Sequence, residues 1–341
     1  MNKNIIWVFS TLPNSASWEF YSHLFLKYSE NSKLNIRCFS RNFPQNLSNV
    51  DVLILFGPSH DIAKLRAKKT NIIIGYLEPR AAQKNNYDEC DFIIVNSIEA
   101  HDFFSSSEIP IFIYPTYPII NPIRKKNENQ TLIIGYHGNK IHLDAMDNTV
   151  SKALSLLRKD IDFEFWVMYN IRNLGLWKSN YLHNVKVNHI QYDIAGYNKF
   201  ISRIDIGIIP QLIPVKKNKI LRWFIGSLES KFNERFDNFF HRFKETTNNG
   251  RAFVFAQFGI PIIADMTPSS CALIGENEYG FLASSEIAWY TALKILASNK
   301  DKRRIMGMKL KKRYERKWNP KKINKDFSDF ISQVVEDKRT I

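Results

Sequence analysis

The stretch NNGRAFVFAQFGIPIIAD, Asn248 to Asp265, decides how the chain is to be read. Two asparagines and a glycine precede a run, Arg251 to Phe258, that is apolar almost all round; Gly259 stops it and the strand-like PIIAD follows. Asparagine ahead of such a run marks a helix start and glycine behind it a helix stop. A helix apolar on every side is a buried one, and a short apolar run such as IIAD reads as a strand covered on both faces. Helix and buried strand in immediate succession are one step of an α/β winding.

Working outward, the amino-terminal third repeats this pattern. NIIWVFS (Asn4 to Ser10), KLNIRCFS, DVLILFG (Asp51 to Gly57), NIIIGY (Asn71 to Tyr76), DFIIVNS (Asp91 to Ser97) and IPIFIY (Ile109 to Tyr114) are strand candidates. Trp18, Tyr21, Phe25 and Tyr28 give Ser17 to Glu30 a helical spacing. The proline-rich Pro115 to Gln130 breaks the alternation and reads as an interdomain linker. The alternation restarts with TLIIGYHG (Thr131 to Gly138), a helix over Asp144 to Arg158, FEFWVMY, VKVNHIQ, a helix over Ala195 to Ser202, and DIGIIP (Asp205 to Pro210). Beyond Asp265 come YGFLAS (Tyr279 to Ser284) and helices over Glu286 to Ser298 and Lys300 to Lys317. The fold class is therefore α/β, with two Rossmann-like, doubly wound parallel-sheet domains, residues 1–128 and 129–315.

The bulk composition sets bounds on function. With 341 residues, 44% of them hydrophobic, the chain can build two cores, and 24% charged residues exclude a disordered polyelectrolyte. The three cysteines, Cys38, Cys90 and Cys271, form no CxxC pair, so neither a disulfide framework nor a thiolate metal site is expected and a reducing cytoplasm fits. The apolar part of MNKNIIWVFSTLPN is too short for a signal peptide, and no run reaches the ~18 apolar residues of a membrane span. The expectation is a cytoplasmic chain, soluble or peripheral on a membrane.

Lysine and arginine number 48 against 33 acidic residues, a net charge of +15. The excess gathers in Lys300 to Lys325, where only Asp301 and Glu315 oppose it. This suits a polyanionic partner (nucleic acid, acidic lipid headgroups or phosphorylated substrates), or it is a solvated helix face. An inserted segment, residues 212–243, spaces Ile220, Leu221, Trp223, Phe224, Leu228 and Phe232 at threes and fours among Lys216, Lys217, Lys219 and Arg222. A basic aromatic amphipath of this kind lies in a membrane interface, or it packs as a hairpin on its own domain.

In an open parallel sheet, ligands bind beyond the carboxyl ends of the strands. The candidate loops are Thr11 to Ser17, Gly57 to His60, Glu78 to Arg80, Gly135 to His142 and the chain after Pro210. The start of the helix near Asn249 joins them. A helix amino terminus offers unsatisfied N–H groups and partial positive charge to an anion. Asn248 or Asn249 caps it, Gly250 leaves the backbone open, and Lys244 and Arg251 add full charges suited to a diphosphate. A capped helix with two surface cations is the plainer reading. The only DxD triplet, Asp160 to Asp162, precedes a strand and reads as a helix-to-strand turn, so no metal site and no cofactor are expected.

The run from Asn249 to Gly307, with IIGYHGNKIHL, FEFWVMY and FISRIDIGIIP upstream, resembles the nucleotide-sugar domain of GT-B glycosyltransferases of the family-4-like group. KWNPKKINKDFSDFI is similar to the segment that crosses back to the first domain in that group, which makes 316–341 a closing helix, and DFIIVNSIEAHDFF looks like the last unit of its first domain. The resemblance implies two domains facing across a cleft and transfer of a sugar from a nucleoside-diphosphate donor, without metal and with retention, by a hexosyltransferase of bacterial surface-polysaccharide biosynthesis. It implies that Lys244 and Arg251 neutralise the donor diphosphate, with Gly138, Asn139, Lys140, Thr246, Asn248, Asn249 and Gly250 around the donor. Glu78 follows a buried strand where it serves as a base or holds a sugar hydroxyl, or else pairs with Arg80 as a loop ion pair. Arg80, His137 and Ser17 are sugar or acceptor contacts, with His60 and Ser15 ranked below them.

The chain departs from the family pattern at two positions. Where that group carries two glutamates eight apart, this sequence has Thr246 and Val254, and valine cannot accept a ribose hydroxyl. The implied acceptor is a lipid-linked glycan of capsule, O-antigen or lipooligosaccharide, reached at an anionic membrane through 216–242 and 300–325. An epimerase or an inactive nucleotide-sugar-binding protein on the same fold stays open, as does, on charge alone, a nucleic-acid-binding protein.

Overall fold

The structure, a computed structural model, describes residues 3–9, 34–40, 46–56, 61–69, 71–79, 87–122, 131–214, 241–242, 248–275 and 277–340. The chain divides into two compact units. The first combines Met1–Asn121, Glu245–Gln257 and Lys311–Ile341; the second combines Pro122–Lys244 and Phe258–Leu310.

The first unit holds six parallel strands, β1 (Lys3–Phe9), β2 (Leu34–Ser40), β3 (Val52–Phe56), β4 (Ile73–Leu77), β5 (Phe92–Val95) and β6 (Ile111–Ile113). Their order is β2-β1-β3-β4-β5-β6. Alternate residues of the apolar runs enter two different cores, which is why these strands lack an apolar–polar alternation. Leu53, Leu55, Ile74 and Tyr76 meet Ile62 and Leu65 of the helix Ile62–Lys68. Ile54, Phe56, Phe92 and Ile94 meet Ile323, Phe327 and Ile331 of the last helix, Pro320–Thr340. Those last three recur every four residues, so the helix buries one stripe, and each such side chain contributes roughly 1.5–3 kcal/mol. Gly75 must be glycine: a β-carbon there would lie 2.1 Å from the Phe92 ring.

Part of the proline-rich segment expected as a linker is packed into this unit. Tyr117 is buried and donates from its hydroxyl to the Trp318 carbonyl at 2.5 Å. Ile120 N donates to Gln257 Oε1 and Gln257 Nε2 donates to the Pro118 carbonyl, both at 2.9 Å. Prolines end the strand pattern, but the aromatic residues between them still find a core.

The second unit holds β7 (Leu132–His137), β8 (Phe163–Tyr169), β9 (Lys186–Gln191), β10 (Ile206–Ile209), β13 (Ile262–Asp265) and β14 (Phe281–Ala283), all parallel. Their order, β14-β13-β10-β7-β8-β9, is the Rossmann order, and it reverses direction between β7 and β10. Tyr136, Phe163, Phe165, Val167 and Trp177 pack with Leu154 and Leu157 of the helix Lys152–Asp160 and with Trp289 and Leu293 of the helix Glu286–Ser298. The helix expected from Asp144 begins earlier, at Lys140, because Asn139 caps it. It runs Lys140–Met146, passes through a π-helical turn Asp147–Ser151, and continues as Lys152–Asp160. The two ends of the inserted segment meet: β11 (Ile213–Pro214) pairs antiparallel with β12 (His241–Arg242).

Candidate functional site

A doubly wound sheet binds its ligand at the carboxyl ends of the strands beside the order reversal, which here falls between β7 and β10. At the end of β7 Gly138 adopts φ +143°, a backbone that other residues rarely reach, and it is exposed. Asn139 caps the next helix, its side chain accepting from Ile141 N at 3.0 Å. Lys140 is committed elsewhere than expected: its ammonium donates to the Leu174 and Leu176 carbonyls, at 3.0 and 3.3 Å. It braces the loop after β8. His137 is buried, with Nδ1 2.9 Å from the Tyr197 hydroxyl and the two rings edge to face.

Beside these, β10 and β13 end in a buried polar cluster that sequence reasoning missed. The Asp265 carboxylate accepts from Gln211 N at 2.6 Å, Leu212 N at 2.8 Å and Trp289 Nε1 at 3.2 Å. Gln211 Oε1 in turn accepts from the Thr267 and Ser270 hydroxyls, each at 3.0 Å. Thr267 caps a helix, Pro268–Ile274, with proline in its first turn. A sequence signal existed for that helix in TPSS, where threonine precedes proline. The link from Asp265 to Gln211 has none, because it spans 54 residues.

In the first unit the helix Gly250–Phe258 is buried along most of its length. Asn248 accepts from Gly250 N at 2.9 Å through its side chain, and the Asn249 carbonyl accepts from Phe253 N at 3.0 Å, so both asparagines cap. The space beside Gly250 is occupied: a β-carbon there would lie 2.6 Å from the Thr116 carbonyl oxygen. Glycine is thus required by packing against the Thr116 segment. Arg251, half-buried, lies in the first turn, and Val254, where the resemblance leads one to expect a glutamate, is fully buried.

Glu78 directly follows β4 in the left-handed region, φ +49°, a strained backbone for a residue with a β-carbon. Its N–H donates to the Ile94 carbonyl at 2.8 Å, and its carboxylate accepts from Nδ2 of the buried Asn96. Asn96 directly follows β5, so the strain is held by the neighbouring strand. Ser15, Ser17, His60, Arg80, Lys244 and Thr246 lie outside the described residues. Asp160 and Asp162 stand at the amino end of β8, as the turn reading expects. Asp160 accepts from Tyr290 Oη at 2.6 Å and Lys294 Nζ at 2.8 Å, and these bonds lower its pKa. Asp162 pairs with Arg158. Among the described residues no cluster of three His, Cys, Asp or Glu side chains could hold a metal ion.

No family profile matches the sequence, and no curated protein matches it. Solved structures do. A sucrose-phosphate synthase from Thermosynechococcus elongatus superposes with a TM-score of 0.64 over 97% of this chain and 99% of its own, at 10% identity. A glycosyltransferase from Rickettsia africae gives 0.63 over 98% and 99%, at 13% identity. The chain has the GT-B fold. HepE from Anabaena, solved in complex with UDP, shares that fold with a TM-score of 0.57 over 97% of this chain and all of its own, at 10% identity. At such identities the GT-B likeness fixes architecture and leaves chemistry to the residues described above.

Proposed function

We propose that the protein is a glycosyltransferase that moves a hexose from a nucleoside-diphosphate sugar to a glycan acceptor. The observation that carries this reading is the whole-length likeness to glycosyltransferases, one of them holding UDP. The reversal between β7 and β10 supports it by offering an exposed positive-φ glycine and a rigid loop at the expected ligand edge. In this account the leaving diphosphate develops negative charge that Lys244 and Arg251 neutralise, without metal or cofactor. Gly138 and Asn139 take the donor from the β7 side, and Thr246, Asn248, Asn249 and Gly250 belong to the donor region. Glu78, held by Asn96, serves as base or sugar-hydroxyl acceptor; Arg80, His137 and Ser17 line the sugar and acceptor. Retention of configuration belongs to the same proposal.

The acceptor proposed is a lipid-linked surface glycan presented at the inner face of the cytoplasmic membrane. The helix Lys300–Lys317 supports this: Lys302, Arg304, Lys309, Lys312 and Arg316 are exposed, as are Ile305 and Met308. Basic residues near an anionic leaflet contribute about 1 kcal/mol each. Residues 216–242 are assigned the same role on their sequence alone. Among the described residues no helix is long and apolar enough to cross a membrane.

The buried Val254 favours a second reading, in which the chain binds nucleotide sugars without transferring them. A panel of nucleoside-diphosphate hexoses, each incubated with and without extracted lipid-linked glycan, separates the two. The transferase releases nucleoside diphosphate in an acceptor-dependent way. Binding with no release from any donor–acceptor pair overturns it.

A further inference from the structure

Glycines aside, only Glu78 and Asn277 among the described residues have a left-handed backbone. Asparagine visits that region readily, whereas glutamate does so at a cost that glycine at the same place would avoid. Pro79 follows and restricts the residue before it further. Strain of this kind persists only where the surroundings over-determine it, and it gathers at functional sites.

The surroundings of Glu78 are specific. Its N–H donates to the Ile94 carbonyl at 2.8 Å, and its carboxylate accepts from Asn96 Nδ2. Asn96 is buried, and among the described residues this is the only hydrogen bond its side chain makes. A buried amide is thus committed to one half-buried carboxylate. That carboxylate belongs to the residue directly after β4, at the carboxyl edge of the first sheet, which is the ligand side of a doubly wound unit.

The charge of the group narrows what it can meet. Donation from an amide N–H favours the ionised form of a carboxylate, which makes a strong hydrogen-bond acceptor and a weak base. Like charge keeps it away from a diphosphate, so its partner is the sugar. A carboxylate has about four lone-pair sites, and one amide does not saturate it.

We infer that Glu78 is a fixed acceptor for a hexose hydroxyl, not a proton-transferring base, and that Asn96 is the residue that positions it. This rests on the glycosyltransferase reading above and decides between the two roles given there for Glu78. The hydroxyl belongs to the hexose of the donor or to the acceptor glycan, and the experiment separates the two.

The full chain is titrated by calorimetry with UDP, UDP-glucose, UDP-N-acetylglucosamine, GDP and GDP-mannose, and kcat and KM are measured for extracted lipid-linked glycan. Glu78→Gln, which keeps the size and removes the charge, should weaken the bound nucleotide sugar or raise the acceptor KM by roughly tenfold. A weakened nucleotide sugar assigns the hydroxyl to the donor; a raised acceptor KM alone assigns it to the acceptor. Asn96→Ala should move the same quantity in the same direction. Affinity for the bare nucleoside diphosphate should hold within about twofold in both variants, because that contact is independent of the sugar.

A loss of bare-diphosphate affinity in step with the sugar affinity marks a merely structural role and overturns the inference. So does a kcat lower by roughly a hundredfold at unchanged KM in Glu78→Gln, the mark of a base. Wild-type values throughout in either variant overturn it too. A wild type that releases no nucleoside diphosphate sinks the transferase reading alone, and the nucleotide-sugar titration then decides Glu78 by itself. A wild type that binds none of the nucleotide sugars overturns both.

Discussion

Two buried aspartates, Asp91 in the first unit and Asp265 in the second, sit at opposite ends of their strands and are held by different kinds of donor. Asp91 precedes β5, at the amino edge. It accepts from Ile74 N at 2.8 Å and pairs with Arg66 at 3.1 Å and Lys338 at 2.9 Å, cations that are themselves 34% and 50% exposed. Asp265 ends β13, at the carboxyl edge, and takes two amides of the loop after β10 together with an indole. Removing Asp91 returns two side chains to water and takes the acceptor from one buried amide, that of Ile74. Removing Asp265 leaves backbone amides and an indole buried with one acceptor fewer, in the loop beside the order reversal. The same residue type therefore fastens helices to a sheet at one edge and shapes a ligand-side loop at the other.

Breaking the second arrangement should have the larger effect. Asp265→Ala is expected to destabilise the protein by about 3 kcal/mol, because buried donors lose their acceptor, and to weaken nucleotide binding in the fraction that folds. Asp91→Ala should cost less, about 1–2 kcal/mol, since its cationic partners are partly solvated, with nucleotide affinity unchanged. Denaturant melts of both variants, each followed by a nucleotide titration, check the contrast; equal losses of affinity would remove it. A smaller effect sharpens the picture of the second unit. Burial lowers the pKa of His189, so the folded chain resists a proton that the unfolded chain accepts near pH 6.5. Stability from this group is full above that pH and is lost as pH falls below it. The fall in Tm from pH 7.5 to 5.5 should thus be smaller in His189→Gln than in the parent.

The strands were legible because burial on both faces writes itself as unbroken apolar runs, Val52–Phe56 and Ile206–Ile209 among them. The last helix was expected from the resemblance of KWNPKKINKDFSDFI alone; the four-residue spacing of Ile323, Phe327 and Ile331, which pack on the sheet, went unused. What the sequence hid depends on partners distant along the chain. Tyr117 lies in a segment whose prolines suggest a linker, and its burial rests on the distant Trp318 carbonyl and the rings of Phe253 and Tyr314. Gly250 suggests an open approach for an anion until the Thr116 carbonyl is seen beside it. Lys140 looks like a phosphate ligand until the turn at Gly175, φ +70°, presents it with two carbonyls. Asn139 carried the clearest unused signal, an N-cap one residue ahead of the true helix start.

The central claim is that this chain binds a nucleoside diphosphate through fixed cations and a helix start. Thermal unfolding of the full chain with uridine, guanosine, adenosine, cytidine and thymidine diphosphates tests it most directly. One of them should raise the Tm, by an amount equivalent to about 2.7 kcal/mol at a hundredfold excess over its Kd, and Arg251→Ala should lose most of that rise. A Tm that none of the five moves, or a rise that Arg251→Ala retains in full, contradicts the account.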